Sequence, residues 1–221
     1  MDPRTLSICI AAIALAASGF FYGWKFCKLG NYLVGIEWFL LATSSTNFLI
    51  YELNHSPVNY FGVLFLDTFS RAFGLPVVTV AGLMVLTHRY RPSIRADILF
   101  FVIPCVATLA LITDYMAADL KYILLFMWTI FTAYLFYFAY VLQKYGQTRH
   151  AIAMLFTATI NQAIAWMYDF YKIPGDDTNI FFNFYTIALY VWSYLTIQTY
   201  YSYCALKRAM DIVDSPQGTA A

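Results

Sequence analysis

Charged residues are scarce in this chain of 221 residues, because Asp, Glu, Lys and Arg together make up only 11% of it, against about 25% in an ordinary soluble domain. This scarcity excludes a soluble globular domain and a disordered chain. The net charge is +1, which excludes the basic surface of a protein that binds nucleic acid. Apolar residues make up 62% of the sequence and aromatic residues 20%. The composition predicts a multi-pass integral membrane protein of the cell or inner membrane, with the lipid bilayer as its surroundings.

The chain also lacks the motifs of common catalytic and metal sites. It contains no H-E-x-x-H, G-x-S-x-G or P-loop sequence, and its three histidines lie on segments expected on opposite sides of the membrane. Its four cysteines include no C-x-x-C pair, so disulfides are not expected. Lys207 lies at the end of the last apolar run, which argues against a retinal Schiff base. We therefore expect neither a metal nor a cofactor.

Long apolar runs dominate what is present. A bilayer core about 30 Å thick needs roughly 20 mostly apolar residues per helical crossing. The sequence offers seven such runs, separated by short polar breaks. This pattern predicts an all-α integral membrane protein, with one seven-helix transmembrane domain over residues 1–210 and a short polar cytoplasmic tail at 211–221. The predicted crossings are 6–24, 32–51, 60–86, 94–112, 122–142, 151–168 and 179–206.

The distribution of positive charge predicts how the chain is oriented, because Lys-rich and Arg-rich loops stay on the cytoplasmic side. Most Lys and Arg residues fall at one set of helix ends, and only Arg4, Lys121 and Lys172 fall at the other. The amino terminus is therefore predicted outside and the carboxyl terminus inside. The residues of the inner set are Lys25, Lys28, Arg89, Arg91, Arg95, Lys144, Arg149, Lys207 and Arg208.

The sequence at 16–18 resembles a signal-peptide cleavage site, but apolar residues continue past it to Trp24, so we expect a retained helix.

Similar features recur in the same order in the two halves of the chain. A Lys-x-Gly turn follows the first run at 28–31 and the fifth run at 144–147. A tyrosine and an acidic residue at 51–52 and again at 168–169 are each followed by a proline five residues after the acid. We predict a parallel three-plus-one-plus-three repeat, with units at 6–86 and 122–206 and a linker helix at 94–112. Chance similarity in an aromatic-rich chain is the alternative.

Two charged residues lie well inside the third run. A charge at the centre of a membrane helix costs at least about 2.5–3.5 kcal/mol, so it needs a partner or a purpose. Asp67 and Arg71 are four residues apart, which places them on one helix face. One interpretation is a buried ion pair that only fixes packing. The other is a substrate or proton site, in which Arg71 meets an anionic group and Asp67 titrates.

Polar residues of the second, sixth and seventh runs extend this site into an expected polar pocket near the midplane that opens outward. The alternative for Glu52 and Asp169 is a solvated helix end, and Glu37 is expected at the inner membrane interface. The expected acid/base or proton-coupling residues are Asp67, Glu52 and Asp169. The expected substrate-binding residues are Asp67, Arg71, Asn47, Asn161, Gln162, Trp166, Asn183, Tyr51 and Tyr168.

These features favour a small secondary transporter in which two parallel three-helix units rock about a central site. The layout resembles that of the seven-helix sugar and vitamin carriers, but the helices carry none of their signature motifs, so no residue role is transferred. The second hypothesis is an intramembrane enzyme that uses its carboxylates as acid and base on a lipophilic substrate. Seven-helix terpene cyclases of meroterpenoid pathways are similar in size and in their dependence on membrane-buried acids. The third hypothesis is a seven-helix sensor subunit, which would need a partner for its output.

Overall fold

The computed structural model describes residues 2–90, 93–113 and 119–214, and within these it is helical with no strand. Arg91 and the last part of the expected tail, residues 215–221, lie outside the described residues. The prediction of an all-α chain is confirmed. The helices are α1 (Pro3–Lys28), α2 (Tyr32–Asn54), α3 (Pro57–Thr87), α4 (Ile94–Leu111), α5 (Leu120–Lys144), α6 (Thr148–Phe170) and α7 (Phe184–Val213).

Helices α1 to α6 are each long and apolar enough to cross a membrane. This is compatible with a multi-pass membrane protein. Helix α7 has 30 residues but is interspersed with Thr, Ser, Gln and Tyr, and it is not among these six. It begins at Phe184 and not at 179 as predicted, because Asn183 caps its first turn. It ends at Val213, so the first residues of the expected tail are helical.

The two Lys-x-Gly turns have the same local structure. Gly30 and Gly146 both adopt left-handed backbone conformations, with φ of 77° and 73°. A residue with a Cβ atom pays a steric cost there, which explains a glycine at this position after a helix. In each turn the next residue donates its backbone N–H back into the helix, from Asn31 to Phe26 at 3.0 Å and from Gln147 to Leu142 at 2.9 Å.

Helices α1 and α2 pack at close range along a seam of small residues. A Cβ atom at Gly23 would lie 2.9 Å from the carbonyl oxygen of Gly35, and one at Gly19 would lie 2.9 Å from the Cβ of Ala42. In lipid, helices gain little from hydrophobic burial against each other, so close backbone approach through small residues is a main source of their association. The seam therefore fixes α1 against α2.

The helices other than α4 form a closed ring in the order α1, α2, α3, α5, α6 and α7, with α7 packed against α1. Helix α4 packs mainly on α3 and is the least buried of the candidate spans. Ion pairs join the two ends of α7 to neighbouring segments: Arg4 of α1 contacts Asp176 in the loop before α7 at 3.6 Å, and Arg89, which follows α3, contacts Asp214 at the end of α7 at 2.8 Å. The ring leaves α4 outside and encloses a central space.

Helix α3 changes its winding in the middle of its length. Residues Ser70–Thr79 form a π-helical segment that contains Pro76. Proline has no backbone N–H and cannot complete an ordinary α-helical ladder, and wider π-type turns accommodate such interruptions. This segment begins one residue before Arg71. Arg71 therefore lies at the start of the irregular winding, and Asp67 lies in the regular turn just before it.

We expect Gly23→Leu to destabilise the protein, because the new side chain must enter the α1–α2 seam against the Gly35 carbonyl. Overpacking of this kind costs about 1–3 kcal/mol. Thermal unfolding in mild detergent, followed by size-exclusion chromatography, measures the loss. Ala17→Leu on the exposed face of the same helix is the matched control and should leave the melting temperature nearly unchanged. Equal losses in the two variants would show that the seam is not closely packed.

Candidate functional site

Arg71 is the centre of the charged site. Its side chain is only 4% exposed, and its guanidinium pairs with Asp67 at 3.5 Å, one helical turn earlier on α3. It also forms an ion pair and a hydrogen bond with Asp169, near the end of α6. The sequence predicted that Asp67 and Arg71 share a face. The structure adds a second carboxylate from a helix about 100 residues away along the chain.

Tyr168 completes this group from the side. Its hydroxyl donates a hydrogen bond to Asp67 Oδ2 at 3.2 Å. The guanidinium carbon of Arg71 lies 3.9 Å from the centre of the Tyr168 ring, which is a cation–π arrangement. We name these four residues, Asp67, Arg71, Tyr168 and Asp169, the Arg71 cluster. Each polar group in it has a partner, as burial requires.

The charges of the Arg71 cluster do not balance when every group is ionised. Two carboxylates and one guanidinium leave a net charge of −1 in an environment that screens charge poorly. One bound proton makes the cluster neutral. The two aspartate side chains are 22% and 18% exposed, so a proton or solute can reach them more readily than it can reach Arg71.

A cavity of about 80 Å³ adjoins the Arg71 cluster in the middle of the ring. A single water needs about 10–15 Å³ on this kind of measure, so the space holds several waters or a small solute. Every ring helix contributes to its wall and α4 does not. The lining residues are Leu15, Leu41, Ser44, Ser45, Phe48, Val63, Asp67, Ser70, Arg71, Leu75, Trp128, Tyr168, Tyr185, Leu189 and Trp192.

Two donors in the cavity wall have no acceptor. The indole N–H groups of Trp128 and Trp192 are buried and have no hydrogen-bond partner in the described part of the chain. A buried donor without an acceptor costs about 1–3 kcal/mol. Two such donors around one cavity indicate a place where water or a polar solute binds.

Most of the other polar residues expected in the pocket are used elsewhere. Asn47 donates to the backbone carbonyl of Asn59 at 2.8 Å, and Asn161 donates to that of Thr157 in its own helix at 2.8 Å. Gln162 donates to the hydroxyl of Thr129 on α5 at 3.1 Å. Polar side chains in an apolar environment bond to the nearest backbone or hydroxyl acceptor. These three amides therefore stabilise helices and do not line the cavity.

The remaining expected residues also lie away from the cavity wall. Asn183 caps α7, where its side-chain oxygen accepts from the Thr186 N–H at 3.0 Å. Trp166 is 55% exposed on the outside of the ring. The ring of Tyr51 packs on His55 and Tyr60, and Glu52 is half-buried one residue further along α2. The cavity wall is accordingly more apolar and aromatic than the predicted polar pocket.

Glu37, which we expected at the inner membrane interface, is buried inside the helix bundle. Its side chain is fully buried on α2, and neither carboxylate oxygen has a hydrogen-bond partner among the described residues. The carboxyl fills the space beside Gly74, where a Cβ atom would lie 2.1 Å from Glu37 Oε1. The sequence placed Glu37 near a helix end but gave no sign that the π-helical segment of α3 would leave room for it.

Among the described residues, no group of three or more His, Cys, Asp or Glu side chains is close enough to hold a metal ion. None of the four cysteines forms a disulfide. The groups that the structure places at the cavity are those of the Arg71 cluster, the indole donors and the aromatic walls.

We expect Arg71→Met to destabilise the protein, because it leaves the partly buried carboxylates of Asp67 and Asp169 without a counter-ion. Loss of one partner of a fully buried pair costs about 3–5 kcal/mol, and partial exposure of the carboxylates places this loss toward the lower end. Unfolding in mild detergent at neutral pH measures the loss. Arg89→Met is the control, because Arg89 and its partner Asp214 are largely exposed and such pairs contribute about 0–1 kcal/mol.

Comparison of the chain with protein-family models, with curated proteins and with solved structures finds no match. The function is therefore inferred from the cavity and the residues that surround it.

Proposed function

We propose that the chain is a small secondary transporter and that the central cavity is the binding site for a small solute. The observation that carries the proposal is the position of the cavity, which is enclosed by all six ring helices and bordered by the Arg71 cluster. Transporters built from repeated units hold their substrate near the midplane, where the units meet. The Arg71 cluster has a net charge of −1 when both of its carboxylates are ionised. Beside the central cavity it would supply a proton site that can be coupled to solute binding.

In this proposal α7 is the seventh crossing, because it contributes Tyr185, Leu189 and Trp192 to the cavity. The amino terminus lies outside and the carboxyl terminus in the cytoplasm, as the distribution of Lys and Arg favours. The contact of Arg4 with Asp176 and that of Arg89 with Asp214 join helix ends that this orientation places on the same side. The cluster then lies in the outer half of the protein, since Asp169 is next to the end of α6.

We also propose that residues 1–210 form one domain with parallel repeats at 6–86 and 122–206, a linker helix at 94–112 and a tail at 211–221. Two observations support the duplication. In the repeat, α1 corresponds to α5 and α3 corresponds to α7. A two-fold relation between the units therefore requires that the contact of α1 with α7 be matched by one of α5 with α3, and both contacts are present. The turns at Gly30 and Gly146 share one backbone conformation and one hydrogen-bond pattern.

The Arg71 cluster gives a physical route to coupling. When both carboxylates are ionised, they hold the guanidinium of Arg71 in place and so tie α3, which carries it, to α6. Protonation of one carboxylate weakens that hold and leaves the guanidinium available to an anionic or polar group of the solute. The indole donors of Trp128 and Trp192 then supply further hydrogen bonds. Solute and proton would thus bind at adjoining positions of one cavity.

The test uses proteoliposomes that contain a pH-sensitive dye, with sugars, amino acids, organic acids and amines added singly outside. We expect one class of solute to drive proton movement in the wild-type protein. Asp169→Asn should reduce the rate at least tenfold, because the amide cannot take up the proton. Absence of flux with every class, or full flux in Asp169→Asn, would contradict the proposal.

Asp177→Asn is the matched control for this assay. Asp177 lies in the loop after α6, is 73% exposed and pairs with Lys172 at 2.6 Å. The Lys172 ammonium lowers the pKa of the Asp177 carboxyl, so this carboxylate stays ionised at neutral pH. It lies outside the cavity, and its replacement should leave the flux unchanged.

A second candidate function is an intramembrane enzyme that protonates a lipophilic substrate. The aromatic wall favours it, because Phe48, Trp128, Tyr168, Tyr185 and Trp192 lie around the same cavity as Asp67. Aromatic faces stabilise positive charge that develops on a substrate. Of the expected acids, Asp67 and Asp169 are in the cluster and Glu52 is not. Product formation from an isoprenoid in detergent, where no gradient exists, would favour the enzyme over the transporter.

A further inference from the structure

Glu37 is a buried carboxyl group that neither function uses. It lies on α2 one helical turn before Leu41, which lines the cavity. The hydroxyl of Ser70 interacts with its carboxyl group, and Ser70 lines the cavity next to Arg71. Glu37 therefore borders the central cavity through Ser70, at a place separate from the Arg71 cluster.

No charged partner faces Glu37. From α3 it meets Ser70 and Gly74, and from α4 the thiol of Cys105 lies within electrostatic range. No Lys, Arg or His of the described residues pairs with it, and both carboxyl oxygens lack a hydrogen-bond donor of normal geometry. An ionised carboxylate in such an environment carries a large desolvation cost, so the neutral acid is the form that this packing favours.

We propose that Glu37 is a second proton-binding site of this protein, which holds a proton in the packing described and exchanges it with the cavity past Ser70. The proton moves between the Glu37 carboxyl and water in the cavity, with no other bond formed or broken. Because α2 begins at the end proposed as cytoplasmic and Asp169 lies at the other, the two acidic sites would stand in series across the protein. This last role rests on the proposed transporter, whereas the proton site itself does not.

The π-helical segment of α3 provides the space in which the Glu37 carboxyl group lies. The Glu37 carboxyl occupies the space at Gly74, inside Ser70–Thr79. Return of this segment to ordinary α-helical winding would change which side chains face α2. Segments of this type are frequent at functional sites, where they present groups that a regular helix would not.

The test is infrared difference spectroscopy of the full chain in lipid nanodiscs at neutral pH. We expect the wild-type protein to show a carbonyl-stretch band of a protonated carboxylic acid that Glu37→Gln loses completely. Glu52→Gln, half-buried on the same helix, should keep the band. The band should also persist in Asp67→Asn and in Asp169→Asn, which would show that it does not come from the Arg71 cluster. Identical spectra for the wild type and Glu37→Gln would overturn the proposal.

A second reference protein keeps the test decisive if Glu37→Gln does not fold. In Glu37→Ala combined with Gly74→Ala, the new methyl group at position 74 fills the space that the carboxyl vacates. This double variant should unfold at a higher temperature than Gly74→Ala alone, in which the methyl and the carboxyl compete for one space. If the wild type lacks the band but still shows proton flux, the Glu37 site is overturned and the proposed transporter is not. A band without any flux would leave the site standing and remove the transporter.

Discussion

The ion pairs of Arg71 link the two halves of this protein. A buried guanidinium must have carboxylates around it, and here one comes from the same helix and the other from α6, which is separated from α3 in the ring by α5. Tyr168, next to Asp169 in sequence, lies under the guanidinium and also bonds to Asp67. The position of α3 relative to α6, and with it the shape of the cavity, therefore depends on four neighbouring side chains.

The same constraint carries the function that we propose. In that proposal the two carboxylates hold the helices firmly when both are ionised and less firmly when one of them is protonated, which would couple a proton to a change in helix packing. The indole donors of Trp128 and Trp192 lie around the same space, where the proposed solute would meet them. The proposed proton site at Glu37 lies on the other side of Ser70.

The sequence was sufficient for the helices and for part of the site. Apolar length predicted the ends of α1 to α6 to within four residues, since a membrane span needs continuous apolar residues, but those of the more polar α7 only to within seven. The spacing of four residues placed Asp67 and Arg71 on one face. The partnership with Asp169 depends on how α6 packs against α3, which periodicity does not reveal.

The amides of Asn47, Asn161 and Gln162 were misleading, because a polar side chain in lipid bonds to a nearby carbonyl or hydroxyl as readily as it lines a pocket. Glu37 could not be placed, because its space exists only through the winding of α3 at Gly74.

The most direct test of the central claim is a double-mutant cycle between Arg71 and Asp169, measured as free energies of unfolding in one detergent. The variants are Arg71→Met, Asp169→Asn and the combination of both. If the pair joins the two halves, the separate losses should exceed the combined loss by at least about 1 kcal/mol, since coupled contacts commonly interact by about 0.5–3 kcal/mol. Additive losses, within about 0.5 kcal/mol, would contradict the claim that this ion pair holds α3 to α6.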